Sequence, residues 1–159
     1  MTKKQLGELI TESQESLYRV AKTILIGDAD CADAVSETIV RAFSCLGTLK
    51  NDRYARTWLI RILINECRNI KRRGARIVPF DEVPEREFHR KENYSDLYKA
   101  VMTLPEEQRI AVALYYMEGY TVREIASMEG TTQSAVKNRL LRARRTLKTL
   151  LGDQLEDEE

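Results

Sequence analysis

Between Thr131 and Leu151 the chain carries Lys137, Arg139, Arg142, Arg144, Arg145 and Lys148 and not one carboxylate. Such a stretch suits a polyanion, because Lys and Arg pair with phosphates while Arg and Asn can also bond guanine and adenine edges. At ~100° per residue of helix, Val136, Leu140, Ala143, Leu147 and Leu150 form one apolar stripe. Ser134, Lys137, Asn138, Arg142, Arg145 and Lys148 fall on the opposite side. Ser134, Lys137, Asn138 and Arg142 are therefore the candidates for base edges, and Arg139, Arg144 and Arg145 for phosphate.

Positioning that helix falls to the residues before it. Thr121 and Glu124 have the spacing of a capping box, in which a hydroxyl and a carboxylate satisfy orphan backbone donors reciprocally. The short helix they open carries Ile125, Ala126 and Met128 and stops at Gly130. Thr131 and Thr132 can each cap the cationic helix. A short helix, a Gly turn and a basic second helix suit entry into a DNA major groove. Upstream, Ser95 is an expected N-cap for Leu97, Val101 and Leu104. Pro105 then opens a helix with Glu106 and Glu107 at its positive end, Ile110, Leu114 and Met117 facing inward, and Gly119 closing it.

The first half reads as three further helices. One runs from about Lys4 to Ile26, with Leu6, Leu9, Ile10, Leu17, Val20, Ala21 and Ile24 on one face, before Gly27 and Asp28 end it. A second starts near Asp30, turns Val35, Ile39, Ala42, Phe43 and Leu46 inward and stops at Gly47. After a polar connector, Thr48 to Asp52, a third spans about Arg53 to Arg73, with Trp58, Leu59, Ile62, Leu63 and Ile70 inward and Gly74 as terminator. Trp58 could stack on an unpaired base, but its place on the apolar stripe favours core packing. Arg68, Lys71, Arg72, Arg73 and Arg76 form a second basic block.

The expected fold is all-α: two small helical domains joined by a flexible linker, the C-terminal one a helix-turn-helix. The boundaries expected are 1–74, a linker over 75–93 where Pro79, Pro84 and scattered charges break periodicity, 94–152, and an acidic tail over 153–159. A net charge of +1 over 159 residues looks poor for a nucleic-acid binder, yet the total hides the two basic blocks, set against Asp81 to Glu92 and the tail. No apolar run reaches the ~18–20 residues of a membrane span and no signal-peptide core is visible, so a cytoplasmic protein is expected. Cys31, Cys45 and Cys67, with His89, lack zinc-ligand spacing, so neither metal nor other cofactor is expected. With no Gly-rich phosphate loop and no nucleophile signature, neither is an enzyme.

Two stretches resemble the extracytoplasmic-function family of bacterial RNA polymerase sigma factors. The first is Asp33-Ala34-Val35-Ser36-Glu37-Thr38-Ile39-Val40-Arg41-Ala42-Phe43, then Thr57-Trp58-Leu59-Ile60-Arg61-Ile62 and Asn65. The second is Leu104-Pro105-Glu106-Glu107-Gln108-Arg109, then Tyr120 to Ala126, then Ser134 to Arg144. The resemblance implies a subunit that directs core polymerase to promoters by binding −10 and −35 elements and assists DNA opening. It implies core contacts, at the clamp and flap, with Asp33, Glu37 and Arg41 on the clamp. Ser36 stands where the family often has Gln, which weakens or replaces one such contact. For the −10 element it implies a base-capturing loop, with Lys50, Asn51, Arg53 and Arg56 as contributors and Asn65 beside them, and Arg68, Lys71 and Arg72 on phosphates. For the −35 element it implies the cationic helix, and for regulation an anti-sigma partner. Asp81 to Glu92 either threads the polymerase channel, its carboxylates standing in for phosphates, or is an ordinary flexible tether. The alternative is a helix-turn-helix regulator acting without polymerase core, which leaves the first domain unexplained.

Overall fold

Helix spacing and caps in the sequence become seven α-helices in the computed structural model, which describes residues 1–77 and 96–152. They are α1 (Lys3–Ile24), α2 (Asp28–Ser44), α3 (Ala55–Ile77), α4 (Asp96–Met102), α5 (Glu106–Val112), α6 (Val122–Glu129) and α7 (Gln133–Leu151). A π-helical turn, Ala113–Met117, continues α5, and no strand occurs among the described residues. Contacts divide the chain into two compact units, the first built on α1 to α3 and the second on α4, α5, the body of α6 and α7. The linker, the Ser95 cap, His89, the Asp81 to Glu92 stretch and the acidic tail lie outside the described residues.

In the first unit Leu6, Ile10, Leu17, Val20, Ala21 and Ile24 of α1 are buried, as their spacing requires. Thr2 and Gln5 form a capping box at its start. The corner into α2 is held by Asp28, which accepts a hydrogen bond from the Tyr18 hydroxyl at 3.1 Å and pairs with the Lys22 ammonium. On α2 the inward face differs from expectation. Cys31, Ala34, Thr38 and Ala42 are buried, Val35 and Ile39 are half-buried, and Phe43 is exposed. The reason is space: α2 packs against both α1 and α3, and small side chains let the backbones approach.

α3 begins after a 3₁₀ turn, Asp52–Tyr54, capped by the Asn51 carboxamide, which accepts the Arg53 N–H at 3.0 Å. Leu59, Ile60, Leu63, Ile64, Cys67 and Ile70 are buried, whereas Trp58 and Ile62 are half-buried. Gly74 does not end the helix. It lies within α3, which runs on to Ile77, because a glycine inside a formed helix costs only about 1 kcal/mol against alanine.

The second unit closes on Val101, Leu104, Ile110, Leu114, Ile125, Val136, Leu140 and Ala143, all buried. Arg109 explains why an arginine follows Leu104-Pro105: its guanidinium donates to the carbonyls of Met102 at 3.4 Å and Leu104 at 3.2 Å, satisfying the end of α4. Burial pulls the Arg109 pKa down, against the opposing charges of Glu106 and Tyr98. The capping box of α6 is formed: Thr121 Oγ1 accepts the Glu124 N–H at 3.1 Å and Glu124 Oε1 accepts the Thr121 N–H at 2.9 Å. Gly130 has φ +65 and the Thr131 N–H reaches the Ala126 carbonyl at 2.9 Å, the closing bond of a Schellman turn. Thr132, rather than Thr131, caps α7 by accepting the Ala135 N–H at 3.1 Å. Three expected apolar positions are outside: Leu97, in the first turn of α4, is 51% exposed, Met117, turned out by the π-helical turn, is 50% exposed, and Leu150, in the last turn of α7, is 53% exposed.

Candidate nucleic-acid interface

Along α3, Trp58, Ile62, Asn65 and Asn69 recur at steps of four, three and four, so they make a second stripe beside the buried one. With Arg41 and Cys45 at the end of α2, Thr48 in the connector, and Arg61 and Glu66, they line an open cavity of ≈ 450 Å³. The Trp58 indole N–H donates to Thr48 Oγ1 at 3.2 Å, which fixes the half-buried ring in the cavity wall. A second hollow of ≈ 420 Å³, lined by Glu37, Arg41, Glu66, Asn69, Arg72 and Arg73, shares Arg41, Glu66 and Asn69 with the first, so the two run on as one groove between α2 and α3. Glu66 is almost fully buried in that groove and pairs with Arg41, Nε to Oε1 at 3.3 Å. Arg72 Nη2 donates to Asn69 Oδ1, which sets its guanidinium at the rim.

Geometry regroups the expected residues. Asn65, Arg72, Glu37 and Arg41 meet at one groove, although the last two were assigned to polymerase. Asp33 is exposed on α2 one turn before Glu37 and lines neither hollow. Lys50, Asn51, Arg53 and Arg56 are exposed in and just after the connector but do not line either hollow, and the Asn51 carboxamide is occupied by its cap. Arg68 and Lys71 follow along α3. Sequence reasoning left out Arg61 and Asn69 and set Trp58 in the core. The polar stripe Asn65, Asn69 in register with Trp58 was the signal available.

On α7, Ser134, Lys137, Asn138, Arg142, Arg144, Arg145 and Lys148 are exposed, while Val136, Leu140, Ala143 and Leu147 are buried. Arg139 is set apart. It is half-buried on one flank of the helix, its Nε 3.6 Å from the Glu107 carboxylate of α5. Arg144 lies on the other flank, its Nε–H donating to the Tyr116 hydroxyl at 2.6 Å. The result is a cationic outer face on a helix seated by its apolar stripe and capped by Thr132, a form that fits a major groove.

A helical unit with a polar, aromatic-walled groove, followed by a helix-turn-helix unit with a cationic second helix, is the order expected of a sigma-type transcription initiation factor. The two matching family profiles say the same: Sigma-70 region 2 covers residues 9–77 and Sigma-70 region 4 covers 94–147. The ECF RNA polymerase sigma factor SigM of Mycobacterium tuberculosis is 32% identical over 149 residues, 91% of this chain and 76% of SigM. RNA polymerase sigma factor SigV of Bacillus subtilis is 30% identical over 156 residues, 94% of this chain and 93% of SigV. Among solved structures, CnrH in complex with the cytosolic domain of CnrY has a TM-score of 0.73 at 27% identity, covering 94% of this chain and 89% of CnrH. The sigma factor RpoE of Bartonella quintana, solved with the anti-sigma factor NepR, shares the fold at a TM-score of 0.75 and 22% identity, covering 93% of this chain and 97% of RpoE. The chain belongs to the extracytoplasmic-function family of RNA polymerase sigma factors and acts in transcription initiation. A regulator working without polymerase accounts for the second unit alone and is not favoured. No helix among the described residues is long and apolar enough to cross a membrane.

Proposed function

We propose that the α2–α3 groove receives an unstacked base of the −10 element while α7 lies in the major groove of the −35 element. In this reading Asn65 bonds the base edge, Trp58 supplies its face, and Lys50, Asn51, Arg53 and Arg56 line the approach. Arg68, Lys71 and Arg72 hold phosphates, as do Arg139, Arg144 and Arg145 on α7, where Ser134, Lys137, Asn138 and Arg142 meet base edges. Asp33, Glu37 and Arg41 of α2 dock on the polymerase clamp, with Arg41 also walling the groove.

The observation that carries this is the cavity beside Trp58. Extruding a base costs a few kcal/mol, and stacking it on an aromatic face returns ~1–3 kcal/mol, so a wall already fixed by the Thr48 hydrogen bond favours the open strand. Residues 1–74 then serve the −10 element and core, 94–152 the −35 element, and 75–93 join them, each contact raising the effective concentration of the other. The protein works in the cytoplasm as a binding factor, making and breaking no covalent bond. An anti-sigma protein is its third partner. That reading is supported by the resemblance and by CnrH, which is seen bound to the cytosolic domain of another protein.

The test is transcription by holoenzyme reconstituted from the full chain and core polymerase, with 2-aminopurine along the nontemplate −10 strand. Promoter-specific transcripts and a fluorescence rise at one position, lost in Asn65→Ala and Trp58→Ala, are expected. Absence of promoter-specific transcripts overturns the function. Transcripts without any position responding to those variants overturn the base pocket.

A further inference from the structure

Past Ile110, which is fully buried, α5 widens into a π-helical turn at Ala113–Met117, in which Leu114 is fully buried as well. The Glu118 N–H bonds the Ala113 carbonyl at 3.0 Å, five residues back, and the Tyr120 N–H reaches Leu114 at 2.9 Å. Turns of this kind are rare and recur at functional sites, since the extra residue redirects the side chains after it. Here it turns Tyr116 outward, 56% exposed, with its ring edge-on to Tyr115 at 4.9 Å between centroids.

Tyr116 is met there by α7. The Arg144 guanidinium sits 5.7 Å from the ring centroid and its Nε–H donates to the hydroxyl at 2.6 Å. Ring and hydroxyl thus grip one edge of the guanidinium, while the Nη1 and Nη2 edge has no partner among the described residues. That free edge is the fork that matches two oxygens of a phosphate. Arg144 shares its flank of α7 with Lys137, Leu141 and Lys148, one and two turns away and all exposed. A long cationic side chain otherwise samples many rotamers, and fixing it before binding removes that entropy loss from association.

We infer that Tyr116 is a positioning residue for DNA binding, holding Arg144 as a preformed phosphate clasp beside the −35 element. The inference rests on the proposed placement of α7 in the −35 groove. Tyr116 does its work through Arg144 and touches no base.

The experiment measures promoter binding by reconstituted holoenzyme of the full chain across a salt series, with Tyr116→Phe, Arg144→Ala, the double variant, and a −35-scrambled promoter. Tyr116→Phe keeps the ring and removes only the hydroxyl. Arg144→Ala is expected to weaken binding about ten-fold and to lower the slope of log K against log salt by about one, as for one lost phosphate contact. Tyr116→Phe is expected to weaken it about three-fold, and the double variant no more than Arg144→Ala, because the two act as one device. Normal affinity of Tyr116→Phe, or additive losses in the double variant, overturns the inference while leaving α7 on DNA. If scrambling the −35 element changes nothing in the unmodified protein, the placement of α7 itself is overturned.

Discussion

Arg41 of α2 reaches Glu66 of α3 with its Nε 3.3 Å from Oε1, and of the two side chains only Glu66 is withdrawn from water, at 8% exposure against 56%. The asymmetry decides what each substitution does. Arg41→Ala leaves a buried carboxylate without its charged partner, a loss expected to cost about 1–3 kcal/mol in urea unfolding. Glu66→Gln added to Arg41→Ala is expected to recover at least half, because a neutral amide is cheaper to bury. An Arg41→Ala chain as stable as the original makes the pair a surface contact without consequence.

Gly130 holds the turn between α6 and α7 at φ +65, a region where an L side chain is strained by about 1–2 kcal/mol. Gly130→Ala should lower the stability of the second unit by about 1 kcal/mol, read by thermal unfolding, and weaken DNA binding through misplacement of α7. Gly130→Asn, whose side chain tolerates this conformation, should lose less. Equal stability of the Gly and Ala forms excludes the conformational argument.

The corner of α1 and α2 carries a pH signature. Burial, then the hydrogen bond to Asp28, raise the Tyr18 pKa above its ordinary 10.0. Burial alone would lower the Lys22 ammonium, but the hydrogen bond and charge of Asp28 outweigh it and the pKa stands above 10.5. Both groups hold their proton more tightly when folded, so their stabilisation is complete below the unfolded values and is lost as pH rises through the folded ones. Stability should therefore fall above about pH 10. Asp28→Asn should be less stable near neutral pH and decline less steeply in that window. A decline as steep as the original assigns the alkaline loss elsewhere.

What could be read from sequence follows from how local each feature is. The Thr121–Glu124 box, the Gly130 turn and the Thr132 cap are each settled within a few residues, so residue type and spacing suffice. The inner face of α2 was misjudged because hydrophobicity ranks Val35 and Phe43 above Ala34 and Thr38, whereas two close neighbours select for smallness. The outward turn of Met117 depends on one extra residue in a helical turn, which no periodicity reports. Trp58 sat on the expected stripe but at its margin, and only the packing of α2 beside α3 turns that margin into a cavity wall.

Arg142 offers the sharpest separation of reading from clasping. It is exposed on α7, one helical turn beyond Asn138 and two beyond Ser134, on the side opposite the buried Val136, Leu140 and Ala143. A guanidinium bonding a guanine O6/N7 pair contributes about 1–3 kcal/mol of discrimination, whereas one on a phosphate adds the same affinity to every sequence. Arg142→Ala is thus expected to weaken holoenzyme binding at the preferred −35 sequence by about 1–3 kcal/mol while barely affecting sequences already mismatched at one base pair. Arg145→Ala should instead weaken all sequences alike and lower the salt slope by about one. Binding measured across a library of −35 variants distinguishes the two patterns, and a uniform loss with Arg142→Ala moves that side chain from the base edges to the backbone.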